Sequence, residues 1–222
     1  MVVLTSIVTQ DYLNEIVDNA GDSIKTLNEI PHQVYVLTDV HNSIGKLLPK
    51  SKTITYPRCI WSYADKIYYT FKLSLQLNED VIWVDGDKAH WHENFFEGGF
   101  DKSRLFMSDF WGHDGVLFKI EYNQTYWAPL NKYAQRNKVD IYDILLPLEN
   151  FFYIPKGISN MEILKEIEIL KVILDSQSIF DDFPFRNQYT GNIRLGNGEG
   201  AILGYLIKKY NLEYTFPEWI II

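Results

Sequence analysis

At 222 residues, 46% hydrophobic and 23% charged, the chain has the composition of a folded protein with a sizeable core, which argues against disorder. A formal net charge of −8 gives general nucleic-acid binding no electrostatic support, and no uncharged apolar run approaches the roughly 18 residues a membrane span needs. The single Cys59 excludes an internal disulfide framework and a cysteine-based zinc site, favouring a reducing, cytoplasmic compartment, and residues 1–13 read as a first strand in place of a signal peptide.

Residues 2–9 are β-branched and apolar, and 11–27 carry Leu13, Ile16, Val17, Ala20, Ile24 and Leu27 at helical spacing, so a strand precedes a helix. Gln33–Thr38 is a second strand ending at Asp39. Such a strand-helix-strand unit predicts a parallel crossover and puts Thr9 and Asp39 at one sheet edge. There Asp39 can accept from a ribose hydroxyl or a base, or serve as a helix cap. Residues 53–56 form a short strand stopped by Pro57. The helix over 62–77 carries Ala64, Ile67, Tyr68, Phe71 and Leu75 on one stripe and Asp65, Lys66, Tyr69, Lys72 and Gln76 on another. Lys66 lies in its first turn, where a cation opposes the helix dipole, so it is either a solvated lysine or one that meets a phosphate.

This helix leads into Val81–Val84, four apolar residues that read as a strand buried on both faces, closed by Asp85-Gly86-Asp87. Ligands of open α/β sheets collect outside the carboxyl ends of such strands. Two hard oxygen donors there, with a glycine that lets backbone approach closely, suit Mg²⁺ or Mn²⁺ carrying a diphosphate; the plain alternative is a pair of turn residues. Beyond the turn, His90 and His92 share a face if extended. No third soft ligand stands at a zinc spacing.

Residues 104–110 and 116–120 are strand-like on either side of the polar turn Trp111-Gly112-His113-Asp114-Gly115. A helix is expected over 127–136, a strand over 150–154, and an amphipathic helix over 161–174 with Ile163, Ile167, Leu170 and Leu174 on one face. Ser159 or Asn160 caps it, with Glu162 at the capping-box offset from Ser159. Residues 181–197 are polar and irregular, Gly198-Glu199-Gly200 opens a last helix over 201–210, and 214–216 and 219–222 close the chain. Fifteen Tyr, 13 Phe and 6 Trp exceed what a core usually requires, so some rings are candidates to line an interface or a pocket such as sugar sites use, the plainer reading being an aromatic-rich core.

The opening that ends in Val-Leu-Thr-Asp39, the helix with Lys66 and Val-Ile-Trp-Val-Asp85-Gly86-Asp87 together resemble the GT-A class of nucleotide-sugar glycosyltransferases, with their aspartate-x-aspartate motif. Gly115-Val116-Leu117 after His113-Asp114 is similar to the strand start behind the donor-sugar loop in several such families, and Gly198-Glu199-Gly200 resembles the acidic position near the acceptor. The resemblance implies one three-layer α/β domain over 1–222 with a mainly parallel central sheet. Its Rossmann-like half, 1–120, would bind the nucleotide sugar; a mixed half, 121–222, would face the acceptor. It implies a divalent-metal-dependent, hexosyltransferase-type enzyme that uses Mn²⁺ or Mg²⁺ and moves a sugar, from UDP in the first instance, to a carbohydrate or other hydroxyl acceptor. Asp87 would hold the metal directly and Asp85 the metal shell or the ribose. Thr9, Tyr12 and Asp39 would hold the nucleoside, Lys66 the diphosphate or sugar, and His113 and Asp114 the donor sugar; Glu199, with Asp114, is the catalytic candidate. The late histidine motif that completes the metal site in some retaining families is missing, since no histidine follows Asn160. A nucleotidyltransferase with the same carboxylate pair, or a non-catalytic nucleotide- or carbohydrate-binding module, are the competing readings.

Overall fold

In a computed structural model of the chain, residues 1–57, 62–110, 128–140, 144, 147–180, 185–186, 193–194 and 199–217 are described. Strands Val2–Ser6 (β1), Gln33–Thr38 (β2), Lys52–Thr55 (β3) and Val81–Val84 (β4) run parallel to their neighbours in the order β3-β2-β1-β4. Leu105–Phe110 (β5) and Pro147–Ile154 (β6) extend the sheet, and Phe185–Arg186 (β7) and Ile193–Arg194 (β8) pair separately as an antiparallel ribbon. Tyr214–Thr215 (β9) ends the sheet, whose full order is β3-β2-β1-β4-β6-β5-β9. Among the described strands of this sheet only β6 is antiparallel to both its neighbours. This is the mixed α/β sheet, parallel in its N-terminal half, that the GT-A resemblance implies.

Helices cover both faces. On one side lie Gln10–Asn19 (α1), Gly21–Glu29 (α2) and His41–Leu47 (α3); on the other lies Ala64–Leu77 (α4). After β4 the chain makes a 3-10 turn, Ala89–His92, and the short Glu93–Phe96 (α5), both on the α1 side. Ala128–Arg136 (α6), Met161–Phe180 (α7) and Glu199–Tyr210 (α8) join α4. Strand periodicity splits the core accordingly: Val81 and Trp83 pack under α4, Ile82 and Val84 under α1, all at 0% exposure, so β4 is buried on both faces as its sequence predicts.

Several expectations change. Residues 11–27 are two helices broken at Ala20, whose φ of −139° is not helical, because the apolar spacing continues through the break while the backbone turns. The first strand stops at Ser6 and Thr9 instead caps α1. The predicted polar stripe of α4 is buried at Asp65 and Lys66, because Asp65 accepts from Tyr56 Oη and from Lys171 Nζ of α7, which packs on α4, while Lys66 turns to Asp85 at the end of β4. His90 and His92 lie on a 3-10 turn, not an extended segment. Asn160 alone caps α7, its Oδ1 accepting from the Glu162 and Ile163 amides at 2.9 Å. The strand over 150–154 begins earlier, at Pro147, and within 181–197 β7 and β8 pair.

Candidate functional site

Strand β1 leaves toward α1 on one face of the sheet, and β4 is reached from α4 on the other, so the order β2-β1-β4 places a topological switch point between β1 and β4. Crevices outside the carboxyl ends of strands at such a point are where open α/β sheets bind ligands. Thr9, Tyr12 and Asp39 arrive from one side and Asp85 to Asp87 from the other. The Thr9 amide donates to Asp39 Oδ1 at 2.8 Å, and Thr9 Oγ1 caps α1 by accepting from the Tyr12 amide at 3.3 Å. Thr9 does this at φ 80° and ψ 145°, a region that costs a β-branched residue of order 1–3 kcal/mol. The strained cap points Tyr12 across the crevice, where its hydroxyl donates to Asp87 Oδ1 at 3.3 Å.

Period-two alternation carries Asp85 to the α4 side, beneath the same face as Trp83. Trp83 Nε1 donates to Asp85 Oδ1 at 2.9 Å and Lys66 Nζ lies 3.2 Å from the same oxygen and 3.5 Å from the other. Lys66 is 4% exposed at its side chain and its ammonium faces the rings of Tyr63 and Trp83. Burial pushes the Asp85 carboxyl above the ordinary carboxylate range; the Lys66 charge and the Trp83 N–H oppose that push, and Asp87 adds to it. Asp87 is the more open carboxylate: its second oxygen meets Lys88 Nζ at 3.2 Å, with side-chain exposures of 34% and 29%. Lys88 Nζ also sits 4.1 Å from the centre of the Trp91 ring.

Gly86 is required for packing. A Cβ there would meet the Ser6 carbonyl oxygen at 3.0 Å and Ile16 Cδ1 at 3.2 Å, so the close approach the glycine permits is to β1 and α1. The two histidines are structural. His90 Nδ1 pairs with Ser23 Oγ at 2.6 Å, and the His92 ring packs on Phe95 and Phe151, where burial lowers its pKa to about 4, helped by the charges of His90 and Lys88. No group of three or more His, Cys, Asp or Glu side chains suited to a metal occurs among the described residues. The pair present nevertheless fits a magnesium-type ion, which is held by one or two carboxylates and completed by phosphate oxygens and water. Asp87 offers two half-exposed oxygens with long contacts, whereas both Asp85 oxygens already face Lys66.

The structure thus brings together Thr9, Tyr12, Asp39, Lys66, Asp85 and Asp87. His113 and Asp114 lie outside the described residues, and Glu199 is placed only as the first residue of α8, a helix that packs on β6 and α4. Trp83 and Lys88 escape a reading by motif. Their signals are an indole two positions before Asp85, hence on its face, and a lysine directly after Asp87.

No protein-family profile and no curated protein sequence matches the chain. A solved galactosyltransferase structure, LgtC in complex with donor and acceptor sugar analogues, aligns with 97% of this chain and 73% of its own at 12% identity and a TM-score of 0.43. A likeness of that size carries no argument about chemistry. Among the described residues no helix is long and apolar enough to cross a membrane.

Proposed function

We propose that the chain is a glycosyltransferase that moves a sugar from a nucleotide-sugar donor, a UDP-sugar in the first instance, to the hydroxyl of a carbohydrate or similar acceptor with the help of Mn²⁺ or Mg²⁺. One observation carries this reading: Thr9, Tyr12 and Asp39 meet Asp85 and Asp87 across the β1–β4 switch point, where a nucleotide and a diphosphate would both lie within reach.

In this reading Asp39 and the Thr9 cap bind the nucleoside, and Tyr12 orients Asp87, the carboxylate that would hold the metal. Such an ion would supply charge neutralisation for a departing diphosphate. Asp85, tied to Lys66 and Trp83, keeps the inner wall of the site polar without adding net charge, and places the Lys66 ammonium where it stabilises negative charge. His113 and Asp114 contact the donor sugar, and Glu199 takes the proton of the acceptor hydroxyl, an assignment that rests on the sequence resemblance. A mass-spectrometric screen of nucleotide sugars tests the reading: metal-dependent hydrolysis of at least one donor is expected, and no hydrolysis with any donor, with or without Mn²⁺, contradicts it. A nucleotidyltransferase would instead release pyrophosphate when nucleoside triphosphates are added to the screen.

A further inference from the structure

The two carboxylates each carry an ammonium partner, but the partners differ in freedom. Lys66 is 4% exposed, lies in the first turn of α4 and is walled by Tyr63 and Trp83, so it cannot leave Asp85 without vacating a buried position. Lys88 is 29% exposed, follows Asp87 directly in a solvent-facing turn, and its ammonium spans the gap between Asp87 Oδ2 and the Trp91 face. Trp91 is 62% exposed and makes an edge contact with His90, whose Nδ1 pairs with Ser23, so the indole stands on a fixed support. A half-exposed ion pair of this kind is weak, and a lysine ammonium on its flexible stem can move between an anion and an aromatic face at little cost.

We propose that Lys88 is an exchangeable counter-ion: it occupies Asp87 while the site is empty, yields that carboxylate to a divalent cation, and then turns its ammonium to the phosphates of the incoming nucleotide. The inference rests on the metal reading of Asp87 given above. Charge balance supports the exchange. With Asp85 paired to Lys66 and Asp87 to Lys88, the empty site carries three carboxylates, Asp39 included, against two ammonium groups, and a divalent ion entering at Asp87 turns that deficit into a positive excess suited to a diphosphate. Lys66 cannot perform this exchange, because its own ammonium is buried and its departure would leave the largely enclosed Asp85 carboxylate with only the Trp83 N–H.

The exchange gives Lys88 opposite effects on two ligands, which a merely structural lysine would not show. In the full chain, Mn²⁺ binding without nucleotide, read by the electron paramagnetic resonance of the free ion, should tighten about fivefold in Lys88→Met. UDP binding at saturating Mg²⁺, read by calorimetry, should weaken in the same variant by about fivefold or more. Lys88→Arg should stay near the wild type in both, and Asp87→Asn should lose the Mn²⁺ site. Saturating Mg²⁺, which does not itself quench indole, should change the emission of the wild type but not of Trp91→Phe. An unchanged or weaker Mn²⁺ affinity in Lys88→Met, or an unchanged UDP affinity, overturns the exchange while leaving Asp87 as a metal ligand if Asp87→Asn still abolishes binding. Failure of the wild type to bind Mn²⁺ at all overturns both.

Discussion

The α4 side of the Asp85-Gly86-Asp87 turn and its α1 side are built on opposite principles. On the α4 side Asp85 sits with Lys66, Trp83 and Tyr63, and its ionised form is supported by the Lys66 charge and the Trp83 N–H against the push of burial. On the α1 side Asp87 faces solvent, a tyrosine hydroxyl and a mobile type of cation. Two aspartates on either side of one glycine therefore differ in setting: Asp85 is tied to a buried lysine and an indole, whereas Asp87 is the more exposed and has a half-exposed lysine as its counter-ion. Strand alternation produces the difference, because it sends Asp85 beneath the face of Trp83 before the turn carries Asp87 out of the sheet.

The comparison breaks first at Lys66. Lys66→Met should lower unfolding stability by about 3 kcal/mol, since it strips a largely enclosed carboxylate of its buried counter-ion and leaves it only the Trp83 N–H, whereas Lys88→Met should cost less than about 1 kcal/mol. Urea titrations of both variants measure this; equal losses would mean that the two sides are not distinct. A comparable effect bears on the α1 side. His92, with a pKa near 4 in the folded chain against an ordinary value of 6.5, binds its proton more tightly when unfolded. Its contribution is therefore complete above about pH 6.5, is lost progressively as the pH falls toward 4, and amounts to roughly 3 kcal/mol. A His92→Phe variant should flatten the stability profile over that window, and an unaltered slope would remove His92 as the cause. A smaller loss is expected of Gly86→Ala, about 1–2 kcal/mol, because its Cβ presses on the Ser6 carbonyl and Ile16, with thermal unfolding as the readout.

Much of the α1 side is legible from sequence. The β-branched runs at β1 and β2 and the four apolar residues of β4 each end in a polar residue at the same sheet edge, so Thr9, Asp39 and Asp87 converge without knowledge of the remaining strands. Lys66 stands out by its place in a helix's first turn. What is not legible depends on partners far along the chain. Asp65 and Lys66 look solvent-facing until α7, about a hundred residues later, supplies Lys171 to Asp65 and the end of β4 supplies Trp83 and Asp85 to Lys66. The apolar run Phe151 to Ile154 shows that a strand exists but carries no sign that it lies antiparallel beside β4, since a strand buried on both faces has no alternation to orient it. The break between α1 and α2 is hidden because the hydrophobic spacing continues across Ala20.

The account rests on Asp87 as the carboxylate through which a metal ion and a nucleotide diphosphate bind together. Calorimetric titration of UDP into the wild type and Asp87→Ala, each with and without Mn²⁺, tests it most directly. Binding that requires Mn²⁺ in the wild type and disappears in Asp87→Ala is the predicted result; nucleotide binding that is indifferent to Mn²⁺, or that survives unchanged in Asp87→Ala, would contradict it.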